Sequence, residues 1–270
     1  MSYSISVIST KGGVGKSTLT KFLSIAFAEL GKTVCVIDLC QNGSVPTGFL
    51  RDRDAFEHTT YDWLTGASEP SQVINQFVDS GIYFIPANET IDDFEAFTEK
   101  KLTASRRLFA IKEKIAPLKN IFDVIIFDTH PSENSDLVSY AIAASDFCLI
   151  PLETDLDSVI GAKRSVEIIN EFMEMQTLDY GIVPNKVSQT NFKLRKQLET
   201  FITELVDEGI PEEKFLSWVR HSDIVTTSKN EKMMLKDYKN NKYAKKLIKD
   251  FEQVAKEVDS VLRKRGHTNG

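Results

Sequence analysis

The sequence predicts an α/β fold, a single doubly wound, mostly parallel sheet flanked by helices, and three observations carry that prediction. Short apolar, β-branched runs alternate with longer helical patterns along the whole chain. Several of those runs are apolar on both faces, as strands buried between two helix layers must be. The first run leads directly into a glycine-rich loop and then a helical pattern, the order of a strand, a phosphate-binding turn and a helix.

Strands are expected at 4–9 (SISVIS), 33–38 (TVCVID), 82–87 (IYFIPA), 122–128 (FDVIIFD), 147–152 (FCLIPL) and 180–185 (YGIVPN). Between them the 3.6-residue period predicts helices near 16–30, 103–117, 134–144, 156–174 and 189–208, with shorter ones in 58–79 and 90–100. A last helix, near 242–264, sets Tyr243, Leu247, Phe251, Val254, Val258 and Val261 on one face, the pattern of a terminal helix docked on the body. No linker rich in Pro, Gly or Ser and no internal repeat divides the chain. Residues 1–270 therefore read as one domain, with a basic helical region near 219–265.

The chain has 270 residues, of which 41% are hydrophobic, enough for a substantial core. No stretch approaches the roughly 18 to 20 consecutive apolar residues of a membrane span. The first strand begins near Ser4, leaving no room for a signal peptide, so a cytoplasmic protein without stable membrane association is expected. Cys35, Cys40 and Cys148 lack paired spacing, which argues against a disulfide, zinc or iron–sulfur site. The net charge of −6 is uneven: residues 219–265 hold thirteen Lys and Arg against seven Asp and Glu. That excess fits either a solvated helical face or a polyanion-binding surface, and composition does not choose between them.

The loop STKGGVGKST, residues 9–18, carries the clearest chemistry. Gly12, Gly13 and Gly15 let the backbone fold so that N–H groups of Gly12 through Thr18, Val14 included, turn toward phosphate oxygens at a helix N-terminus. Lys16 is placed to reach the β and γ phosphates, and the Ser17 hydroxyl to hold Mg²⁺. Lys11 is unexplained by that scheme, because it precedes the loop and cannot readily serve the same phosphates as Lys16. The alternative for Lys11 is a solvated loop lysine. Phosphoryl transfer also needs carboxylates for the metal and the attacking water, and strand ends at Asp38 and Asp128 supply them. Asp123, near the start of the same run as Asp128, reads as a turn residue.

The run K-G-G-V-G-K-S-T resembles the deviant Walker A family of ATPases, which includes ParA and Soj partition proteins and MinD. The resemblance implies that Lys11 reaches across a dimer interface to the nucleotide of the other subunit, making ATP a dimerising ligand, and that Lys16 and Asp38 share in catalysis with it. It implies that Asp128 is the Walker B aspartate acting on Mg²⁺. VCVIDLCQNG resembles the family's second acidic motif, with Cys40 where a second aspartate usually stands. A neutral thiol is a poor base for water, so either Asp38 does that work, or Gln41 positions the water, or unstimulated hydrolysis is slow; slow hydrolysis with Asp38 as the main acid is expected. GIVPNKVSQTNF resembles the adenine-side loop, with Asn185 as base contact, although an Asn after a buried strand is also a simple turn former. The resemblance further implies non-specific DNA binding, with Arg220, Lys242, Lys245 and Lys246 as phosphate contacts, a ParB-like centromere-binding partner and nucleoid association in the ATP state. A MinD-like positioning ATPase and a nucleotide-gated switch that hardly hydrolyses are the alternatives.

Overall fold

The computed structural model describes residues 2–77, 80–131, 135–238 and 240–268. The chain opens with β1 (Tyr3–Val7), α1 (Lys16–Glu29), β2 (Val34–Leu39) and α2 (Ser44–Gly48). It continues with α3 (Thr60–Thr65), α4 (Pro70–Val73), β3 (Asn75–Gln76), β4 (Ile82–Ile85), α5 (Asp93–Lys101), α6 (Ala104–Arg107) and α7 (Ala110–Ile115). Then follow β5 (Val124–Thr129), α8 (Asp136–Ala143), β6 (Phe147–Leu152), α9 (Leu156–Met173) and β7 (Asp179–Pro184). The C-terminal part holds α10 (Phe192–Asp207), α11 (Ile224–Asn230) and α12 (Lys242–Thr268).

Among the described residues seven strands form one sheet in the order β3-β4-β2-β5-β1-β6-β7, parallel except for the edge strand β3. Period-two alternation sends successive side chains to opposite helix layers. Val34 and Val36 of β2 pack toward α1 and α12, while Cys35 and Ile37 pack toward α3, α5, α7 and α8. β5 repeats the division, with Val124 and Ile126 on the first face and Ile125 and Phe127 on the second. A third apolar cluster joins β6 and β7 to α9 and α10. Because β1 sits between β5 and β6, strand order reverses around it, and the loop leaving its C-terminal end opens at that switch point. Open parallel sheets bind their ligands in such crevices.

All six expected strands are present, and the differences have local causes. The helical stretch expected at 58–79 is cut in two because Gly66 ends α3 in the left-handed region (φ 82°) and Pro70 opens α4. The edge strand β3 follows, too short for a sequence pattern to reveal. The helix expected at 103–117 divides into α6 and α7, with Phe109 between them at ψ 8°. Asn191 caps α10 by accepting from the Leu194 N–H (3.2 Å), so this helix starts three residues later than its period suggests. Residues 132–134, at and before the expected start of the helix at 134–144, lie outside the described residues. Asp123 is a turn residue, its carboxylate accepting from the Thr33 N–H at 2.8 Å and hydroxyl at 2.9 Å.

The last helix is docked as its pattern predicts, with Leu247, Phe251, Val254 and Val258 buried against α1 and the rings of Phe22 and Phe251 stacked at 4.7 Å. Tyr243 departs from that face and is 59% exposed. It lies in the first turn, where the Asn241 side chain caps the Tyr243 and Ala244 N–H groups (2.8 and 3.2 Å).

Candidate nucleotide site

The loop between β1 and α1 takes its shape from Gly13 and Gly15, whose φ values of +80° and +91° are strained for other residues. A Cβ on Gly15 would also lie 2.6 Å from the Asn185 amide nitrogen. Gly161 of α9 is a glycine for a similar reason, since a Cβ there would sit 3.1 Å from the Thr10 hydroxyl and 3.2 Å from Lys11 Cβ. The α9 backbone therefore presses directly on the start of the loop.

Within this structure the loop's carbonyls are held by side chains from neighbouring strand ends. Asn185, at the end of β7, donates from Nδ2 to the Val14 carbonyl at 2.9 Å. Lys186, one of the few non-glycine residues at positive φ (54°), bonds the Gly13 carbonyl and Glu153 Oε1, each at 2.7 Å. The Lys16 ammonium is turned back toward the Ser9 and Lys11 carbonyls at 3.5 and 3.3 Å. Burial lowers its pKa to about 8, against the opposing pull of Asp128 and Cys40. Lys11 pairs with Asp155, which also caps α9 through the Ser158 N–H (3.0 Å). Glu153, Asp155 and Lys186 escaped the sequence reading; their only signal was position, just after β6 and β7.

On the other side stand two buried carboxylates. Asp38 and Asp128 are register partners at the C-terminal ends of β2 and β5 and are both fully buried. Burial raises both, Asp38 further through the charge of Asp128, and Asp128 to about 6 against the opposing pull of the Ser17 hydroxyl, the Lys16 charge and the Thr20 hydroxyl. Their bonding differs. Asp38 accepts the Cys40 N–H at 3.0 Å and the Val45 N–H at 2.9 Å, so each of its oxygens organises the loop into α2. Asp128 accepts from the Thr20 hydroxyl at 3.4 Å on Oδ1, while Oδ2 is buried with no partner among the described residues. Cys40 is 5% exposed, and burial pushes its thiol up to about 11.

An orphaned carboxylate oxygen beside the Ser17 hydroxyl fits a hard divalent cation. Mg²⁺ takes oxygen ligands, keeps several waters and needs only one or two carboxylates when phosphates supply the rest. The loop's N–H groups and Lys16 offer the complementary phosphate site.

The expected DNA contacts are less uniform. Arg220 is mostly buried and gripped by Asp250, with Nε–Oδ2 at 2.5 Å and Nη2–Oδ1 at 2.6 Å, and its guanidinium lies over Trp218. Lys242, Lys245 and Lys246 are exposed at the start of α12, Lys242 over the Tyr243 ring. A cavity of about 480 Å³ between the β7 loop and this region is lined by Gln189, Arg220, Tyr243 and Lys246.

The sequence profile of a family described as an AAA domain, AAA_31, matches residues 2–182. The chain belongs to that family, and with its loop of two lysines it is a ParA/MinD-type P-loop protein. A ParA family protein of Mycoplasma pneumoniae is 29% identical over 75% of this chain and 76% of its own. Among solved structures, the Cyanothece McdA–ATP complex superposes with TM-score 0.80 at 18% identity, covering 96% of each chain. A plasmid partition protein from Borrelia burgdorferi gives TM-score 0.70 at 20% identity, covering 94% of this chain and 97% of that one. Both structural likenesses speak to the fold.

Proposed function

We propose that this chain is a ParA-type ATPase serving DNA partition, a plasmid being the cargo that fits best. ATP and Mg²⁺ bind at Gly12 to Thr18, with Lys16 on the phosphates and Ser17 and Asp128 on the metal side. When bound, the metal neutralises phosphate charge. Two chains then close face to face, Lys11 leaving Asp155 to engage the nucleotide of its partner. The dimer holds duplex DNA through phosphates alone, and a ParB-like centromere-binding protein stimulates hydrolysis and releases it.

The observation that carries this reading is the unpartnered Asp128 oxygen buried beside Ser17 at the mouth of a loop bearing both Lys11 and Lys16. Burying a charged oxygen without a partner is costly, and a loop that needed no cation would have filled that place. The family membership and the likeness to a plasmid partition protein agree with it. Asn185 holds the loop through the Val14 carbonyl, and its role as base contact is part of this proposal.

A second reading, a nucleotide-gated switch with very slow turnover, is favoured by Cys40. Its thiol stays protonated at neutral pH, and Asp38 is fully buried with each oxygen accepting a backbone N–H, so in this arrangement it presents no exposed oxygen to water. The two readings share nucleotide-dependent DNA binding and differ in turnover. Binding to a non-specific duplex with ATP, with ADP and without nucleotide, at two salt concentrations, tests the shared part. Tight, salt-sensitive binding with ATP alone is expected; equal binding in all three states would refute it. Phosphate release with and without a centromere-binding protein separates the two.

A further inference from the structure

The phosphate loop is held from outside by two consecutive residues at the end of β7. Asn185 donates to the Val14 carbonyl at 2.9 Å, and Lys186 Nζ donates to the Gly13 carbonyl at 2.7 Å. A peptide unit is planar and trans, so its C=O and the N–H that follows point in opposite directions. Pinning the Gly13 carbonyl therefore aims the Val14 N–H away from that strand end, and pinning the Val14 carbonyl does the same for the Gly15 N–H. Among the described residues neither N–H meets an acceptor, the state of donors kept for a phosphate.

The backbone of Lys186 is set for this contact. Its φ of 54° lies in the left-handed region, which a residue with a side chain occupies at a cost and keeps only where its surroundings fix it. Both neighbours are fixed: the Asn185 N–H bonds the Leu152 carbonyl at 2.7 Å and the Val187 N–H bonds the Val219 carbonyl at 2.9 Å. Glu153, just beyond β6, pairs with the same ammonium at 2.7 Å and aims it. The Lys186 side chain is 40% exposed, so water could satisfy it and burial does not force the Gly13 contact.

We propose, on the reading of this loop as a nucleotide site, that Lys186 is a positioning residue: aimed by Glu153 and acting with Asn185, it holds two successive loop carbonyls outward and so presets the Val14 and Gly15 N–H groups for phosphate. Lys186 works from the carbonyl side and does not touch the phosphates. A loop without it would still bind, but binding would first have to order two peptide planes. Every nucleotide that uses those N–H groups bears that cost, so ADP and ATP suffer alike. A direct γ-phosphate contact would serve ATP alone.

The test is titration of ADP and of a non-hydrolysable ATP analogue, each with Mg²⁺, into the full chain and its Lys16→Ala, Lys186→Met, Lys186→Arg and Glu153→Gln variants. Lys186→Met should weaken both nucleotides by the same factor, on the order of tenfold. Lys186→Arg, which keeps N–H donors on a long side chain, should recover most of that loss. Glu153→Gln should fall between Lys186→Met and the parent. Parent-like affinity in Lys186→Met, with Lys16→Ala deficient, would overturn the positioning role and leave the nucleotide site standing. Parent-like affinity in Lys16→Ala would overturn the nucleotide site and the proposal with it. A loss confined to the ATP analogue would make Lys186 a γ-phosphate ligand and overturn the proposal as well.

Discussion

The phosphate loop and the start of α12 are both rich in lysine, yet they handle charge in opposite ways. Around the loop each cation has a fixed acceptor: Lys11 on Asp155, Lys186 on Glu153 and Gly13, Lys16 on loop carbonyls. On α12, Lys245 and Lys246 project into solvent. A pocket that must place a γ-phosphate needs directed, enclosed groups, whereas a surface that holds any duplex needs only density of charge. The contrast predicts that the loop is sensitive to single changes and the α12 surface to the sum of several.

The largest effect should come from the enclosed side. Lys16→Ala is expected to weaken ATP binding by on the order of a hundredfold, because it removes a desolvated ammonium from the phosphates. Fluorescent-nucleotide titration measures it, and a loss of only about twofold would put the phosphates elsewhere. Next, the basic face divides against itself. Arg220→Ala should cost about 3 kcal/mol of stability, since it strands a mostly buried Asp250. Lys245→Ala and Lys246→Ala should each cost less than about 0.5 kcal/mol in urea unfolding while lowering the salt slope of duplex binding by about 1 apiece. A stable Arg220→Ala that lost DNA binding would make that arginine a true phosphate contact.

Smaller shifts probe the two carboxylates. Asp128 is raised in the folded state to about 6, so the folded chain binds more protons than the unfolded one between its ordinary value and about 6. Its contribution to stability is therefore present at low pH and lost as pH rises through about 6. Asp128→Asn should melt higher than the parent at pH 7 without nucleotide, and lose the extra stabilisation that Mg²⁺ adds to ATP. An unchanged magnesium response would remove Asp128 from the metal site. Cys40→Asp should raise unstimulated phosphate release severalfold if that position activates water; no change would leave the task to Asp38 or Gln41.

Much of this was legible in the sequence, unevenly so. Buried parallel strands announce themselves by continuous apolar runs, and the loop by glycines whose spacing the backbone geometry demands. Asp38 and Asp128 were visible as strand ends, but not that Asp38 would spend both oxygens on backbone N–H groups, which depends on how the 40–45 segment folds back. The pairing of Lys11 with Asp155 joins residues 144 apart in sequence, beyond any local pattern. Arg220 and Lys245 looked equivalent as basic residues; only packing, which brings Asp250 of α12 against Arg220, tells them apart. Exposed lysines stay illegible because an exposed helix tolerates them whatever they bind.

The claim that joins the two regions is that Lys11 leaves Asp155 to complete the site of a second chain. Sedimentation of the parent chain and of Lys11→Ala, each with saturating Mg²⁺ and ATP, tests it most directly, with nucleotide binding measured alongside. The expected result is an ATP-dependent dimer for the parent and a monomer that still binds ATP for the variant. An ATP-dependent dimer of the same strength in Lys11→Ala would contradict the account.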